Sequence, residues 1–384
     1  MSLVCGVQGY SRPTWVEVDL AKVESNVKEF RRLIPDSVKI MAVVKANAYG
    51  HGAPEVANTA LNAGASVLGV ASLEEGISLR SRGISAPVLI LGYTDPGQAA
   101  LLQEGLFTPT VFNWEGARDL AQHACALGCR IGFHFKVDTG MGRLGLADPR
   151  SALLLLKKVS ALSGLKLEGV FTHFASADEQ DRVFTSGQIA LFHKFLNAAA
   201  NEGINIPLRH AANTAAAIEY PDAALDMVRL GIGIYGYYPS AAVDQQKVRL
   251  QTAFSLKSRI IFLKKVVAGT PVSYGGEYHA PRQTIIATVP LGYGDGLSRH
   301  LSNGWFMLVG GRCVPIAGRV CMDMTMLDVG SVPGVCEGDE VVAYGNQGNE
   351  EINIDAVAAK LKTISYEVLC NVSSRVPRLY LPKE

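Results

Sequence analysis

The chain has no stretch of about 18 consecutive apolar residues, so nothing in it reads as a membrane span. It has no run of like charges. Lys and Arg number 36 against 35 Asp and Glu, a formal net charge of +1. Nothing therefore marks a nucleic-acid or anionic-membrane surface. Cysteine is sparse, 7 scattered among 384 residues, and no two are spaced as Cys-x-x-Cys. That excludes a disulfide framework and a zinc-ribbon ligand set, so no metal is expected and the cytoplasm is the expected compartment. Cys125 and Cys129, near a helix-to-strand junction, read as small apolar filler. The opening MSLVCGVQGYSRP has no basic region before its short apolar run, so no signal peptide is expected. What is present is a chain 48% hydrophobic with 39 glycines. That is the composition of a well-packed α/β enzyme, long enough for one large barrel domain and a smaller one.

From about residue 38 short apolar runs alternate with longer amphipathic stretches. The runs are 38–45, 66–72, 87–92, 106–112, 130–138, 165–174, 207–213 and 225–233. Each is rich in Val, Ile, Leu or Phe without strict alternation, as expected of strands buried on both faces. The stretches between them read as helices. SLEEGISLRSRG opens on Ser72 and closes on Gly83, and NWEGARDLAQHACALG opens on Asn113 and closes on Gly128. Eight such units predict a (β/α)8 barrel. After about residue 246 helical stretches nearly vanish, and strand-like runs such as TIIATVPLGY and DEVVAYG are separated by Gly, Pro and Asn. The expected fold is α/β: a barrel over 12–246, then a mostly β domain over 247–384. WVEVDL, residues 15–20, reads as a further strand whose domain the sequence leaves open; those bounds place it with the barrel.

Barrel enzymes carry their chemistry at the C-terminal ends of strands. Unusual polar residues fall there: Lys45, the loop from Asp138 to Arg143, His173, Asn213 and Arg229. Lys45 ends the apolar run Met41–Val44 and is followed at once by a polar, tyrosine-bearing turn. Desolvation by such neighbours lowers a lysine pKa and makes the amine a Schiff-base nucleophile. A lone lysine at a strand end is usually just surface, but the eleven-residue string AVVKANAYGHG at 42–52 resembles the pyridoxal-phosphate attachment signature of the alanine racemase family.

The resemblance spans nearly the whole chain and is carried by separate motifs in the right order. It implies that Lys45 holds pyridoxal 5'-phosphate through its amine. Tyr49 and Tyr366, the latter in ISYEV, match tyrosines at the phosphate. HAANTAAA at 210–217 supplies Asn213 and Thr214 at a helix start suited to an anion. The family usually has serine where Thr214 stands. RLGIGIYG at 229–236 supplies backbone N–H groups from Gly231 and Ile232. Arg229 matches the arginine facing the pyridine nitrogen. An arginine cannot give up its proton there, so the ring stays unprotonated and draws electrons weakly. His173, in FTHF, is implied to relay hydrogen bonding between Arg229 and a catalytic tyrosine. TGMGRLG supplies Arg143 for the cofactor's phenolic oxygen and the substrate carboxylate. Lys136, in FHFKVD, is carbamylated in many members, and a bare ammonium buried there would be costly.

The β domain is implied to bring the second base. VSYGGEY gives Tyr274, PLGYGDG gives Tyr293 as an entrance residue, and GRVCMDM gives Met322 and Asp323 at the substrate end. In the family these reach the partner subunit, so a homodimer with shared sites is implied. The expected reaction is interconversion of L- and D-alanine by two bases on opposite faces, Lys45 and Tyr274, feeding D-alanine to peptidoglycan synthesis. The alternative is a racemase of another amino acid such as serine, against which Tyr366 argues. A barrel decarboxylase would carry a carboxylate in place of Arg229, and a pyridoxal-phosphate carrier would lack the β domain.

Overall fold

The computed structural model describes residues 12–381, so Cys5 and most of the segment read for a signal peptide lie outside the described residues. The chain divides into two units. One holds Lys22–Ala48 and Ala53–Thr252; the other holds the described residues up to Ala21, then Tyr49–Gly52 and everything from Ala253.

The first strand, β1 (Thr14–Asp19), corrects the expected bounds, because it does not belong to the barrel. The barrel consists of β2 (Lys39–Val43), β3 (Val67–Val70), β4 (Val88–Ile90), β5 (Phe107–Val111), β6 (Ile131–Lys136), β7 (Leu165–Phe171), β8 (Arg209–His210) and β9 (Met227–Leu230). These eight parallel strands run in spatial order β8-β7-β6-β5-β4-β3-β2-β9. Bonds from Asp226 N to Arg209 O, 3.0 Å, and from Arg229 N to Ala212 O, 2.9 Å, join the two ends. Each strand lies inside one of the eight apolar runs, which is why those runs lack alternation: both faces are covered.

The helices between them start and stop where local chemistry requires. Asn113 accepts from Gly116 N at 2.9 Å to cap Trp114–Ala126, and Gly128 reverses the chain at φ +68°. Ser72 precedes Leu73–Ser81 in extended conformation but makes no cap bond with its side chain. One irregularity bears on the site. The β6–β7 register shifts between Phe133 and His134. A Cβ on Gly132 would run into the Glu168 carboxylate, and one on Gly169 would lie 2.7 Å from His134 Cε1. Gly169 thus makes room for a histidine inside the barrel wall, as Gly132 does for the Glu168 carboxylate.

The second unit is built on an antiparallel framework. It contains β10 (Phe254–Arg259), β11 (Phe262–Val266), β12 (Pro271–Val272), β13 (Tyr278–His279), β14 (Thr284–Val289), β15 (Phe306–Val309), β16 (Arg312–Pro315), β17 (Thr325–Asp328), β18 (Glu340–Gln347), β19 (Glu350–Ile352) and β20 (Arg378–Leu381). The main sheet runs β16-β15-β18-β10-β1-β20. β1 pairs antiparallel with β10, Val16 opposite Leu256, and parallel with β20, Val16 opposite Arg378. Such long-range pairing has no local signature in WVEVDL. A smaller sheet, β11-β14-β17, packs Val266, Val272, Ile286 and Ala317 into a core of its own. Two short helices, Ile354–Leu361 and Ser365–Cys370, complete a mostly β unit.

Candidate active site

Lys45 stands half-buried two residues past the end of β2. The turn that follows is left-handed: Ala46, Asn47, Ala48 and Tyr49 have φ of 51, 52, 54 and 51°. Each such residue costs roughly 1–2 kcal/mol, so the turn needs external restraint. Glu75 supplies it, accepting from Ala46 N at 2.6 Å and Ala71 N at 2.7 Å. Asn47 accepts from Ala53 N at 2.9 Å and starts the next helix. Strain of this kind collects at functional sites.

Arg229, third residue of β9, is 4% exposed, and no carboxylate among the described residues pairs with it. Its NH2 donates to Ala211 O at 2.7 Å, Thr172 O at 2.8 Å and His173 Nδ1 at 3.0 Å; its NH1 donates to His210 Nδ1 at 3.1 Å. Among the described residues its Nε–H makes no hydrogen bond. Burial and then the charge of Arg143 push the guanidinium down, to about 9, which leaves it a cation at neutral pH. Burial and the nearby cations hold His173 and His210 well below the usual imidazole value. Burial and Arg229 push His134 down to about 3. These three imidazoles are neutral.

Lys136, last residue of β6, is 3% exposed and its Nζ has no hydrogen-bond partner among the described residues. Nζ lies 4.5 Å from the Phe171 ring centroid, and the Arg229 Cζ lies 5.5 Å from the same ring. Burial, then Arg229 and Arg143, hold the amine well below the usual lysine range. Arg143 rides on a loop wound about the Asp138 carboxylate. Asp138 Oδ1 accepts from Gly140 N, Met141 N and Gly142 N at 2.9, 2.8 and 3.1 Å. Arg143 itself is exposed and has no ion pair among the described residues.

The residues expected at the phosphate make the following contacts. Asn213 caps the helix Thr214–Glu219 by accepting from Ala216 N at 3.0 Å. The Gly231 N–H, expected to be offered to a ligand, donates to the Thr214 hydroxyl at 3.0 Å. This ties the start of the helix Thr214–Glu219 to the turn Ile232–Tyr235.

In the β unit Tyr49 and Tyr366 come together, ring centroids 5.8 Å apart. Burial raises the Tyr49 phenol above its ordinary value, so it stays a neutral donor. Tyr274 is 68% exposed, and its hydroxyl has no partner among the described residues. It follows Ser273, whose φ of 67° and ψ of −176° are nearly reserved to glycine. Tyr293 and Met322, 42% and 53% exposed, sit on loops joined by Tyr293 N to Cys321 O, 2.9 Å, and Gly294 N to Met322 O, 2.8 Å. Asp323 accepts from Arg375 at 2.6 Å.

Residues 18–239 match the N-terminal domain of alanine racemases, and residues 253–380 match the C-terminal domain. The chain belongs to the alanine racemase family. The alanine racemase of Desulforamulus reducens is 47% identical over 369 residues, 96% of this chain and 99% of that one. That of Desulfosudis oleivorans is 46% identical over 374 residues, 95% and 96% of the two chains. Among solved structures, alanine racemase of Clostridium difficile 630 superposes with a TM-score of 0.92 at 38% identity, covering 97% of this chain and 96% of that one. The Bacillus anthracis enzyme with bound L-Ala-P gives the same TM-score, identity and coverage.

His134 and His210 are the site residues that the sequence reading passed over. Their signal was available: histidines on three strand runs, 130–138, 165–174 and 207–213, each on an apolar strand where burial costs a charge.

Proposed function

We propose that this chain interconverts L- and D-alanine with Lys45 and Tyr274 as bases on opposite faces of the substrate, Tyr274 being supplied by the partner subunit. Family membership carries the reaction type: a pyridoxal-phosphate-dependent isomerase. When bound, pyridoxal 5'-phosphate supplies the electron sink that loosens the substrate's α-hydrogen. The residues present fit that group. Tyr49 and Tyr366 form one donor pair at its phosphate, and Asn213, Thr214 and Ile232 offer another set. Lys45 is placed to hold it and to take or return the α-proton on its own face. Inversion requires a second base, because one base returns the proton mostly to the face it left.

The observation that carries the reading is Arg229: a buried cation bonded, among the described residues, only to carbonyls and imidazoles, with an Nε–H left to donate. Facing a pyridine nitrogen, it can donate but never give up its proton. That favours proton return over decarboxylation or transamination. Lys136 supports the same site. A neutral amine there adds to carbon dioxide, forming an N–C bond and releasing one proton, and the resulting anion would be favoured by the charges of Arg229 and Arg143 that disfavour the ammonium. The exposed side chains of Tyr274, Tyr293 and Met322 support a homodimer. The free cysteines support the cytoplasm as compartment, and no helix among the described residues is long and apolar enough to cross a membrane.

The test is direct: incubate the purified protein with pyridoxal 5'-phosphate and each L-amino acid, then measure the D-enantiomer. D-Alanine should form fastest. Faster D-serine would select the alternative specificity, and no D-amino acid at all would reject the reading.

A further inference from the structure

We propose that His134 is a positioning residue for Arg229, acting through His210 along a one-way chain of hydrogen bonds. The direction follows from donor inventory. Arginine has five N–H donors and no acceptor. The 3.1 Å contact between Arg229 NH1 and His210 Nδ1 therefore makes that nitrogen an acceptor. A neutral imidazole carries one proton, so His210 holds it on Nε2. Nε2 lies 2.8 Å from His134 Nδ1, which must then accept, and the His134 proton must also sit on Nε2. The bond from Arg229 NH2 fixes His173 as an Nε2–H tautomer in the same way. One buried cation thus assigns three tautomers.

The rings are held to match. Phe171 stacks on His210 with centroids 4.8 Å apart and planes within 4°. His210 is wholly buried, and His134 fits only because Gly169 leaves it space. His134 also lines a cavity of about 320 Å³ with Lys39, Thr108 and Glu168. Lys39 and Thr108 lie at the starts of β2 and β5 and Glu168 midway along β7, so the chain of bonds runs from the site side of the barrel towards its opposite mouth. Without His134, the His210 Nε2–H loses its acceptor, and only the stacking on Phe171 and the bond to Arg229 itself still hold the ring.

The proposal rests on Arg229 facing the cofactor's pyridine nitrogen, and the experiment separates the two. In the ¹⁵N-histidine-labelled full chain, free of cofactor at pH 7, long-range ¹H–¹⁵N spectra should show His134, His210 and His173 all as Nε2–H tautomers. An Nδ1–H tautomer at His210 overturns the chain of bonds whatever Arg229 faces. In the cofactor-loaded enzyme, His134→Leu should lower kcat about tenfold, the scale of one lost buried hydrogen bond, shift the cofactor's visible band and leave KM for alanine nearly unchanged. His134→Asn, which offers Oδ1 where Nδ1 stood, should recover most of both. If His134→Leu does not fold, the tautomer spectrum and the Asn variant still decide. Native kcat and an unmoved band in a folded His134→Leu overturn the positioning role. If Arg229→Glu leaves the visible band unmoved while all three tautomers stand, the reading of Arg229 fails, and the functional half of the proposal fails with it.

Discussion

The two units hold their site residues in opposite ways. In the barrel, Arg229, His134 and His210 are buried and bonded to one another in a chain, and Lys136 is buried beside them with its amine unbonded among the described residues. In the β unit, Tyr274, Tyr293 and Met322 stand out from loops with 42% to 68% of their surface exposed. The barrel half is finished within one chain. The β half presents a surface that a single chain leaves uncovered. Burial lets the barrel tune charge, since desolvation decides which groups can ionise. Tyr274 has no such surroundings within the single chain, and the proposed reading has a second copy supply them.

The largest effect that tests this contrast belongs to Lys45. Lys45→Ala should abolish racemisation and leave no borohydride-trapped cofactor on the protein. Residual trapped cofactor at another lysine would remove Lys45 from the barrel's finished half. Tyr274→Phe should cost about a hundredfold in rate, the scale of a lost general base. Exchange of the α-proton from L-alanine should fail while exchange from D-alanine partly survives. Equal residual exchange from both would contradict a division of labour between the halves.

A mixed dimer then asks whether the uncovered half is covered by a second copy. Lys45→Ala and Tyr274→Phe chains are each nearly dead alone. Two-fold symmetry puts both mutations in one site of a mixed dimer and neither in the other. With random exchange of equal amounts about half the dimers are mixed, so activity should return to roughly one quarter of wild type. Tagged mixed dimers with single-mutant activity would mean that both bases come from one chain.

The same contrast explains what could be read from sequence. The eight strands were legible because burial on both faces leaves continuous apolar runs. Lys45, Arg229 and His173 were legible because a polar residue at the end of such a run needs a reason. The bond from Gly231 N to the Thr214 hydroxyl was not, since composition does not say which of two acceptors a backbone N–H will choose. Nor was the left-handed turn after Lys45, which depends on Glu75 from the next unit of the barrel. β1 was misplaced because its partners, β10 and β20, lie more than two hundred residues away in sequence.

Acid should separate the units by stability. His134, His173 and His210 have folded pKa values below the unfolded value of about 6.5. Below that value the unfolded chain binds protons that the folded barrel refuses, so their stabilisation is full above pH 6.5 and is lost as pH falls. The slope is about 1.4 kcal/mol per pH unit for each histidine. Between pH 6.5 and 5, above the main carboxylate range, cofactor-free barrel should weaken first. Trp114 reports the barrel, and Trp15 and Trp305 report the β unit. Single-tryptophan variants followed by thermal melts at each pH would check this. A flat barrel response across that window would mean that the three imidazoles take up protons without unfolding.

The smallest effect concerns backbone strain, which both units use. Ala46 is held left-handed by Glu75, and Ser273 is held at φ 67° by its hydroxyl bond to Arg319 O, 2.7 Å. Glycine adopts either conformation without penalty. At Ala46 the restraint comes from another residue's carboxylate and survives the substitution. Ala46→Gly should therefore raise the melting stability by at most about 1 kcal/mol, the strain relieved less the added freedom of the unfolded chain, with kcat within twofold of wild type. At Ser273 the substitution removes the restraint along with the strain. Ser273→Gly should leave stability within about 1 kcal/mol of wild type, since a lost hydrogen bond offsets the relief. Its kcat should fall severalfold, because the Tyr274 ring, exposed and without a hydroxyl partner, is aimed only by the turn that carries it. Melting curves and kcat for the two variants decide the matter. A rate loss at Ala46 with none at Ser273 would reverse the contrast, making the barrel the half that depends on strain and the β unit the half that does not.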